Sequence, residues 1–407
     1  MLCINIEFTL FFAITIKMCN LAQNFPFIKE GDKFTIEFQM DNNKIRVGIT
    51  QGDVNGIGYE VILKTLEDSR MLELCTPIVY GSAKIASFYR KMLNMPAVPF
   101  SQIADTSEIS GDANYIINVV GEDLKIEPGE ETRIGGDAAF AALERAVADL
   151  KEGKIDVLVT APINKHNIQS DTFKFPGHTE YLQSVCDDGS KALMILASDN
   201  MRVALVTTHL PVSQVASALS SDLILEKIKS FSNSLKKDYM IVNPRIAVLS
   251  LNPHAGDEGV LGNEEKEIII PAIEKAKAEK IQAYGPYSSD GFFGSGSFKH
   301  FDGILAMYHD QGLIPFKTLA MNDGVNFTAG LPFVRTSPDH GTAYDIAGKG
   351  VADNTSMRSA IYAAIDIYRN RERYADMTHN PLRKQYFDKS KDNVVLDLTS
   401  DDKDTNY

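Results

Sequence analysis

Three histidines stand in one context along the chain: each follows an apolar, strand-like run at the point where a loop begins. His209 follows Val203 to Thr208, His254 follows Ile246 to Pro253, and His309 follows Ile304 to Tyr308. In α/β sheets ligands gather at the carboxyl ends of strands, so residues far apart in sequence can meet there. Three neutral imidazoles suit a divalent transition metal and leave coordination positions open for a substrate. A single strand-end histidine is more often a solvated loop residue or one bonded to backbone. Three in matched contexts shift the balance toward a shared site, although no two lie on one helix as in an HExxH motif.

Further polar groups sit in Gly- and Pro-punctuated loops. His178 and Thr179 follow Phe175-Pro176-Gly177, Lys317 follows Pro315, and Arg335 follows Pro332. Lys317 and Arg335 offer positive charge for a phosphate or carboxylate, Arg335 in bidentate fashion. Each reads equally well as an ordinary surface cation. Asp290 and Asp310 are candidate acid/base or metal-facing carboxylates, yet loop aspartates more often form turns. The segment Gly52 to Gly58 is not GxGxxG, and no P-loop Lys-Ser/Thr follows it. A tight strand-to-helix turn is expected there.

The elements that must position these groups follow from periodicity. Ile45 to Thr50 reads as a strand leading through the glycine turn into a helix ending near Leu66. Ala138 to Lys151 reads as a helix stopped by Gly153, and Ile155 to Thr160 as a buried strand. Lys191 to Ala197 and Arg202 to Thr207 read as a hairpin about Ser198-Asp199-Asn200, so a mixed sheet is expected. Arg245 to Leu251 and Gly303 to Tyr308 are further strands. Helices are expected at Glu264 to Lys280, capped by Asn263, and at Ser356 to Arg373, capped by Asn354 or Thr355.

With 407 residues and 44% apolar content, the chain can bury a core large enough for two domains or one large α/β unit. A net charge of -13 argues against nucleic acid or a stable membrane association, while local clusters of Lys and Arg still allow an anionic substrate. Cys3, Cys19, Cys75 and Cys186 form neither a CxxC pair nor a disulfide framework, which fits a reducing cytoplasm. The apolar run Phe8 to Ile16 lacks a preceding basic segment and is too short to span a bilayer. Residues 1–40 are therefore expected to be an extension outside the fold, with Met40 as a natural start; an export or membrane segment is the competing reading. The charged stretch 391–407 has little to bury and is expected to be disordered.

Taken in order, the segments resemble the PdxA family of pyridoxal phosphate biosynthesis, the 4-hydroxythreonine-4-phosphate dehydrogenases, over about residues 45–375. The motifs are Ile49-Thr50-Gln51-Gly52-Asp53 with Gly56-Ile57-Gly58, then Thr160-Ala161-Pro162-Ile163-Asn164-Lys165, then Gly177-His178-Thr179-Glu180. Thr208-His209-Leu210-Pro211, Leu251-Asn252-Pro253-His254-Ala255-Gly256 and Tyr308-His309-Asp310-Gln311-Gly312 follow. The stretch Asp339 to Gly350 also looks like the cofactor loop of isocitrate and isopropylmalate dehydrogenases, which bind NAD without a Rossmann fingerprint. Val54-Asn55 and Tyr59 depart from the family's common Pro-Ala and Pro.

The resemblance implies an isocitrate/isopropylmalate dehydrogenase-like α/β fold: two α/β domains with mixed sheets and an intervening active-site cleft. The division expected is 41–160 plus 310–390, carrying the NAD loop, and 161–309, carrying metal and dimer contacts. It makes His209, His254 and His309 the ligands of one divalent ion (zinc, cobalt, manganese or magnesium). His178, Thr179, Lys317, Asn326 and Arg335 become substrate contacts, and His340, Gly341, Asp345 and Asn354 cofactor contacts. Lys317, Asp290 or Asp310 would relay protons.

The implied reaction is NAD-dependent oxidation of 4-phosphooxy-L-threonine with decarboxylation to 3-amino-2-oxopropyl phosphate, in a homodimer whose active sites draw ligands from both subunits. Two alternatives stay open: a sister dehydrogenase acting on a phosphothreonate or phosphoerythronate, and a non-catalytic metal- or phosphate-binding protein on the same scaffold.

Overall fold

A computed structural model of the chain describes residues 28–30, 33–35, 44–121, 123–320 and 323–381. The apolar runs assemble into one twelve-stranded sheet. Its strands are β1 (Ile45–Thr50), β2 (Cys75–Gly81), β3 (Phe100–Ile103), β4 (Asn114–Asn118), β5 (Val157–Thr160) and β6 (Leu193–Ser198). There follow β7 (Met201–Leu205), β8 (Arg245–Leu249), β9 (Gln282–Tyr287), β10 (Gly303–Ala306), β11 (Val325–Ala329) and β12 (Val334–Pro338). The order across the sheet is β9-β8-β10-β7-β6-β11-β12-β5-β1-β2-β4-β3.

Two parallel wings, β9-β8-β10-β7 and β12-β5-β1-β2-β4-β3, are joined by the antiparallel pairs β7/β6, β6/β11 and β11/β12. The mixed sheet and the hairpin, in which Ser198 pairs with Met201, are borne out. Parallel strands need covered faces, and runs such as β2 and β5 are buried along their whole length and mostly apolar for that reason. Strands β8, β10 and β7 lie side by side in register, with Ala247 beside Ile304 and Ile304 beside Val203. The loops carrying His254, His309 and His209 therefore leave the sheet along one edge.

The helices that matter below are α1 (Gly58–Leu66), α2 (Arg133–Lys151), α3 (His178–Ser184), α4 (Ser221–Lys237), α5 (Ile270–Ala278), α6 (Ser289–Gly294), α7 (His309–Leu319) and α8 (Thr355–His379). Helix α2 covers β1, β2 and β5, α8 packs on β12, β5 and β11, and α7 lies on β7 and β10. Among the described residues no helix is long and apolar enough to cross a membrane.

Three expectations need correction. Helix α2 begins at Arg133, a turn or more before Ala138, with the Thr132 hydroxyl accepting the Gly135 N–H at 3.1 Å. Gly136 lies inside this first turn because a Cβ there would collide with the Asn167 carbonyl. The helix near Glu264 opens as a π turn, Glu265–Ile269, before continuing as α5, and Asn263 provides no side-chain cap. Pro271 has no N–H to give and its ring crowds the preceding turn, which accounts for the change of register. Helix α8 is capped by neither Asn354 nor Thr355; Asp353 Oδ1 accepts the Thr355 N–H at 2.7 Å. The expected extension at 1–40 falls outside the described residues except for a strand pair, Ile28–Glu30 with Lys33–Thr35, and the tail at 391–407 falls outside entirely.

Candidate active site

The turn after β1 is a structural junction, as its glycines predict. Gly52 has φ +68°, and a Cβ on it would run into the Pro162 carbonyl. Asp53, 1% exposed, accepts the Asn55 N–H at 2.9 Å, Asn167 Nδ2 at 2.7 Å and the Tyr344 hydroxyl at 2.8 Å. One buried carboxylate thus ties the first turn to α2's neighbourhood and to the Asp339–Gly350 stretch. The Tyr59 departure has a similar use: its hydroxyl donates to Gln51 Oε1 at 2.6 Å and accepts the Ser82 N–H at 2.7 Å.

A cavity of about 250 Å³ lies over the antiparallel centre of the sheet, where the wings meet. Strand alternation turns Arg335 and Ser337 toward it and Thr336 away, the Thr336 hydroxyl bonding the Ala360 carbonyl on α8. Arg335 is 2% exposed and donates to Thr160 Oγ1 from Nε at 3.1 Å and from Nη2 at 2.6 Å, and to Thr328 Oγ1 at 3.1 Å. No carboxylate pairs with it among the described residues, and burial pulls its pKa down to about 9, with Glu180 opposing the shift. A buried guanidinium left with neutral partners favours an arriving anion.

Three more groups point the same way. His178 Nε2, Asn326 Oδ1 and His340 Nε2 are shut off from solvent, have no hydrogen-bond partner among the described residues, and all belong to residues lining this cavity. Unpartnered buried polar atoms are rare in folded proteins, and three in one cavity mark a place built for a ligand. Burial, followed by Arg335 and Lys165, holds the His178 pKa well below 6.5, so this imidazole is neutral at physiological pH. Burial lowers His340 likewise and raises the Asp339 carboxyl, which Lys317 partly counters from 3.2 Å.

His209 and His309 meet at the cavity, with ring centroids 6.1 Å apart. His209 Nδ1 faces Glu180 Oε1 at 3.4 Å, and His309 Nδ1 faces Asp310 Oδ1 at 2.7 Å. A carboxylate on Nδ1 assigns the proton to that nitrogen and leaves the Nε2 lone pair outward, the usual arrangement of a metal-binding imidazole. His209 Nε2 instead meets Lys165 Nζ at 3.1 Å. The bond to His209 is the main reason the Glu180 carboxyl is held below the usual range. These two imidazoles fit a divalent ion.

His254 is not with them. It sits in the turn Pro253–Gly259, outside the residues lining the cavity, and no cluster of three or more His, Cys, Asp or Glu suited to a metal occurs within the chain among the described residues. Asp290 and Asp310 line a separate cavity of about 650 Å³ with Asn252, Pro253, Phe293 and Ile314. Of the expected substrate residues, His178, Thr179, Lys317, Asn326 and Arg335 all share the first cavity. His340 and Gly341 line it too; Asp345 lies off it in the turn Tyr344–Ile346, and Asn354 Nδ2 bonds Thr65 Oγ1 at 3.3 Å. Sequence reasoning does not single out Thr160, Lys165, Glu180 or Asp339. They stand inside the quoted motifs, but that they share one cavity is a tertiary fact.

A family model for the pyridoxal phosphate biosynthetic protein PdxA matches residues 73–364. A 4-hydroxythreonine-4-phosphate dehydrogenase from Bacteroides thetaiotaomicron is 58% identical over 365 residues, covering 90% of this chain and 100% of that one. A relative from Oceanobacillus iheyensis, named for D-threonate 4-phosphate, is 39% identical over 327 residues, covering 79% of this chain and 97% of its own. The crystal structure of 4-hydroxythreonine-4-phosphate dehydrogenase from Klebsiella pneumoniae superposes with a TM-score of 0.70 at 34% identity, covering 80% of this chain and 98% of that one. With the motif order, the mixed α/β sheet and these matches in agreement, the chain belongs to the PdxA family of pyridoxal phosphate biosynthetic proteins.

Proposed function

We propose that this chain oxidises 4-phosphooxy-L-threonine with NAD and decarboxylates it to 3-amino-2-oxopropyl phosphate, in the synthesis of pyridoxal 5'-phosphate. The observation that carries the reading is the buried, carboxylate-free Arg335 sharing one cavity with three unpartnered polar atoms and the His209–His309 pair. Arg335, positioned by Thr160 and Thr328, takes the phosphate or carboxylate. Neutral His178 and Asn326 offer hydrogen bonds without adding charge, and Lys317, held against Asp339, is placed to move a proton.

His209 and His309 hold a zinc, cobalt, manganese or magnesium ion, and His254 of a second copy of the chain completes the set in a cytoplasmic homodimer with shared sites. When bound, the ion supplies Lewis acidity toward the substrate hydroxyl, and NAD, along the His340–Asn354 stretch, supplies the hydride acceptor. The NAD stretch belongs to the lobe 41–160 plus 310–390, and the His209 and His254 loops to 161–309.

The relative named for D-threonate 4-phosphate supports a second reading in which the amine is replaced by a hydroxyl. Rates of NADH formation from the two substrates, measured side by side on the purified protein, decide between them. The larger kcat/KM is expected for 4-phosphooxy-L-threonine; turnover of D-threonate 4-phosphate alone would overturn the first reading.

A further inference from the structure

The turn that carries His254 has a backbone state that its own residues do not favour. His254, Ala255, Gly256, Asp257 and Glu258 all have positive φ, between 43° and 79°, and only one of the five is glycine. L-residues in a left-handed run are crowded at Cβ, so such a run persists only where its surroundings over-determine it. The surroundings here centre on Glu265, 2% exposed, at the start of the π turn.

Glu265 Oε1 accepts the N–H groups of Leu251 and Asn252, both at 2.8 Å, and Oε2 accepts Asn252 Nδ2 at 3.0 Å. The same Nδ2 reaches Glu264 Oε2 at 2.7 Å. Gly256 passes so near that a Cβ on it would lie 2.6 Å from Glu265 Oε2. The carboxylate thus grips the chain just before His254 and forms the floor just after it. Its bonded partners are N–H groups rather than a cation, and the helix start beneath it favours its negative charge.

We propose that Glu265 is the positioning residue for His254: through Leu251, Asn252 and Gly256 it fixes the left-handed turn and thereby the direction in which the imidazole is presented. The inference rests on the reading above that His254 serves as a metal ligand. A carboxylate acting only as a fold strut would change stability without changing how tightly the folded protein holds metal.

The test is Zn²⁺ affinity of the purified full-length protein, measured by competition with a chromophoric chelator, for wild type, Glu265→Gln and His254→Ala. Glu265→Gln is expected to stay folded and lose affinity roughly tenfold to a hundredfold, with kcat largely recovered at saturating Zn²⁺. Folded Glu265→Gln with wild-type affinity, beside a His254→Ala protein that has lost it, would overturn this inference and leave the ligand reading intact. Wild-type affinity in His254→Ala would overturn the ligand reading itself. Should Glu265→Gln fail to fold, Asn252→Ser, which removes one donor and spares the backbone grip, carries the test: a fall in affinity supports the proposal and an unchanged value overturns it.

Discussion

Replacing Arg335 by Met should make the ligand-free protein more stable and the enzyme much worse at binding its substrate. The drop of the guanidinium pKa from its ordinary value to about 9 corresponds to roughly 5 kcal/mol of unfavourable burial. Methionine removes that penalty at similar length but leaves the Thr160 and Thr328 hydroxyls unpaired, at about 1 kcal/mol each. A net gain of about 1–3 kcal/mol in unfolding free energy follows. Losing two charge-assisted bonds to a substrate anion, at about 1.5–3 kcal/mol each, raises KM by roughly 10²- to 10⁴-fold.

Linkage fixes the pH sign. The folded state releases the Arg335 proton first, so above about pH 9 wild type gains stability with rising pH, and Arg335→Met lacks that gain. Arg335→Lys keeps the charge without the fork, so KM should rise with no gain in stability. Urea unfolding and steady-state kinetics on the three proteins provide the check. A less stable Arg335→Met protein with an unchanged KM would refute the anion-site reasoning and make the guanidinium a structural strut.

His209→Ala and His254→Ala proteins should each be inactive, yet mixed subunits should recover up to about a quarter of wild-type activity, because half the dimers are hybrids with one intact site; no recovery on subunit exchange would count against sharing across the interface. Since His178 stays neutral when folded but gains a proton near pH 6.5 when unfolded, stability should fall by up to roughly 2 kcal/mol on going from about pH 7 to pH 5. His178→Gln should flatten that dependence in urea titrations, and an unaltered slope would contradict it. Gly52→Ala, forced to keep φ +68° against the Pro162 carbonyl, should lower stability by about 1–3 kcal/mol in thermal unfolding; a neutral substitution would show that the turn can relax.

Much of the scaffold is legible from residue order. The runs before His209, His254 and His309 are apolar and too short for helices, which reads as buried strands, and parallel neighbours β8, β10 and β7 release their loops at one edge. The five substrate residues carried over from the family resemblance likewise meet in one cavity. What is hidden depends on contacts remote in sequence. Nothing in His254-Ala255-Gly256-Asp257-Glu258 announces a left-handed turn, because the residue that enforces it is Glu265 in the following helix. The pairing of His209 with Glu180 and Lys165 joins two loops and the first turn of α3, segments apart in sequence, so no local spacing encodes it. The need for glycine at 136 is hidden for the same reason: the Asn167 carbonyl that excludes a side chain there belongs to another segment.

The most direct measurement follows all three products when the purified protein is given 4-phosphooxy-L-threonine, NAD and a divalent metal salt. NADH and carbon dioxide should appear in equal amounts, with 3-amino-2-oxopropyl phosphate as the organic product. NADH without carbon dioxide, or no NADH from this substrate at any metal concentration, would contradict oxidation and decarboxylation at one site.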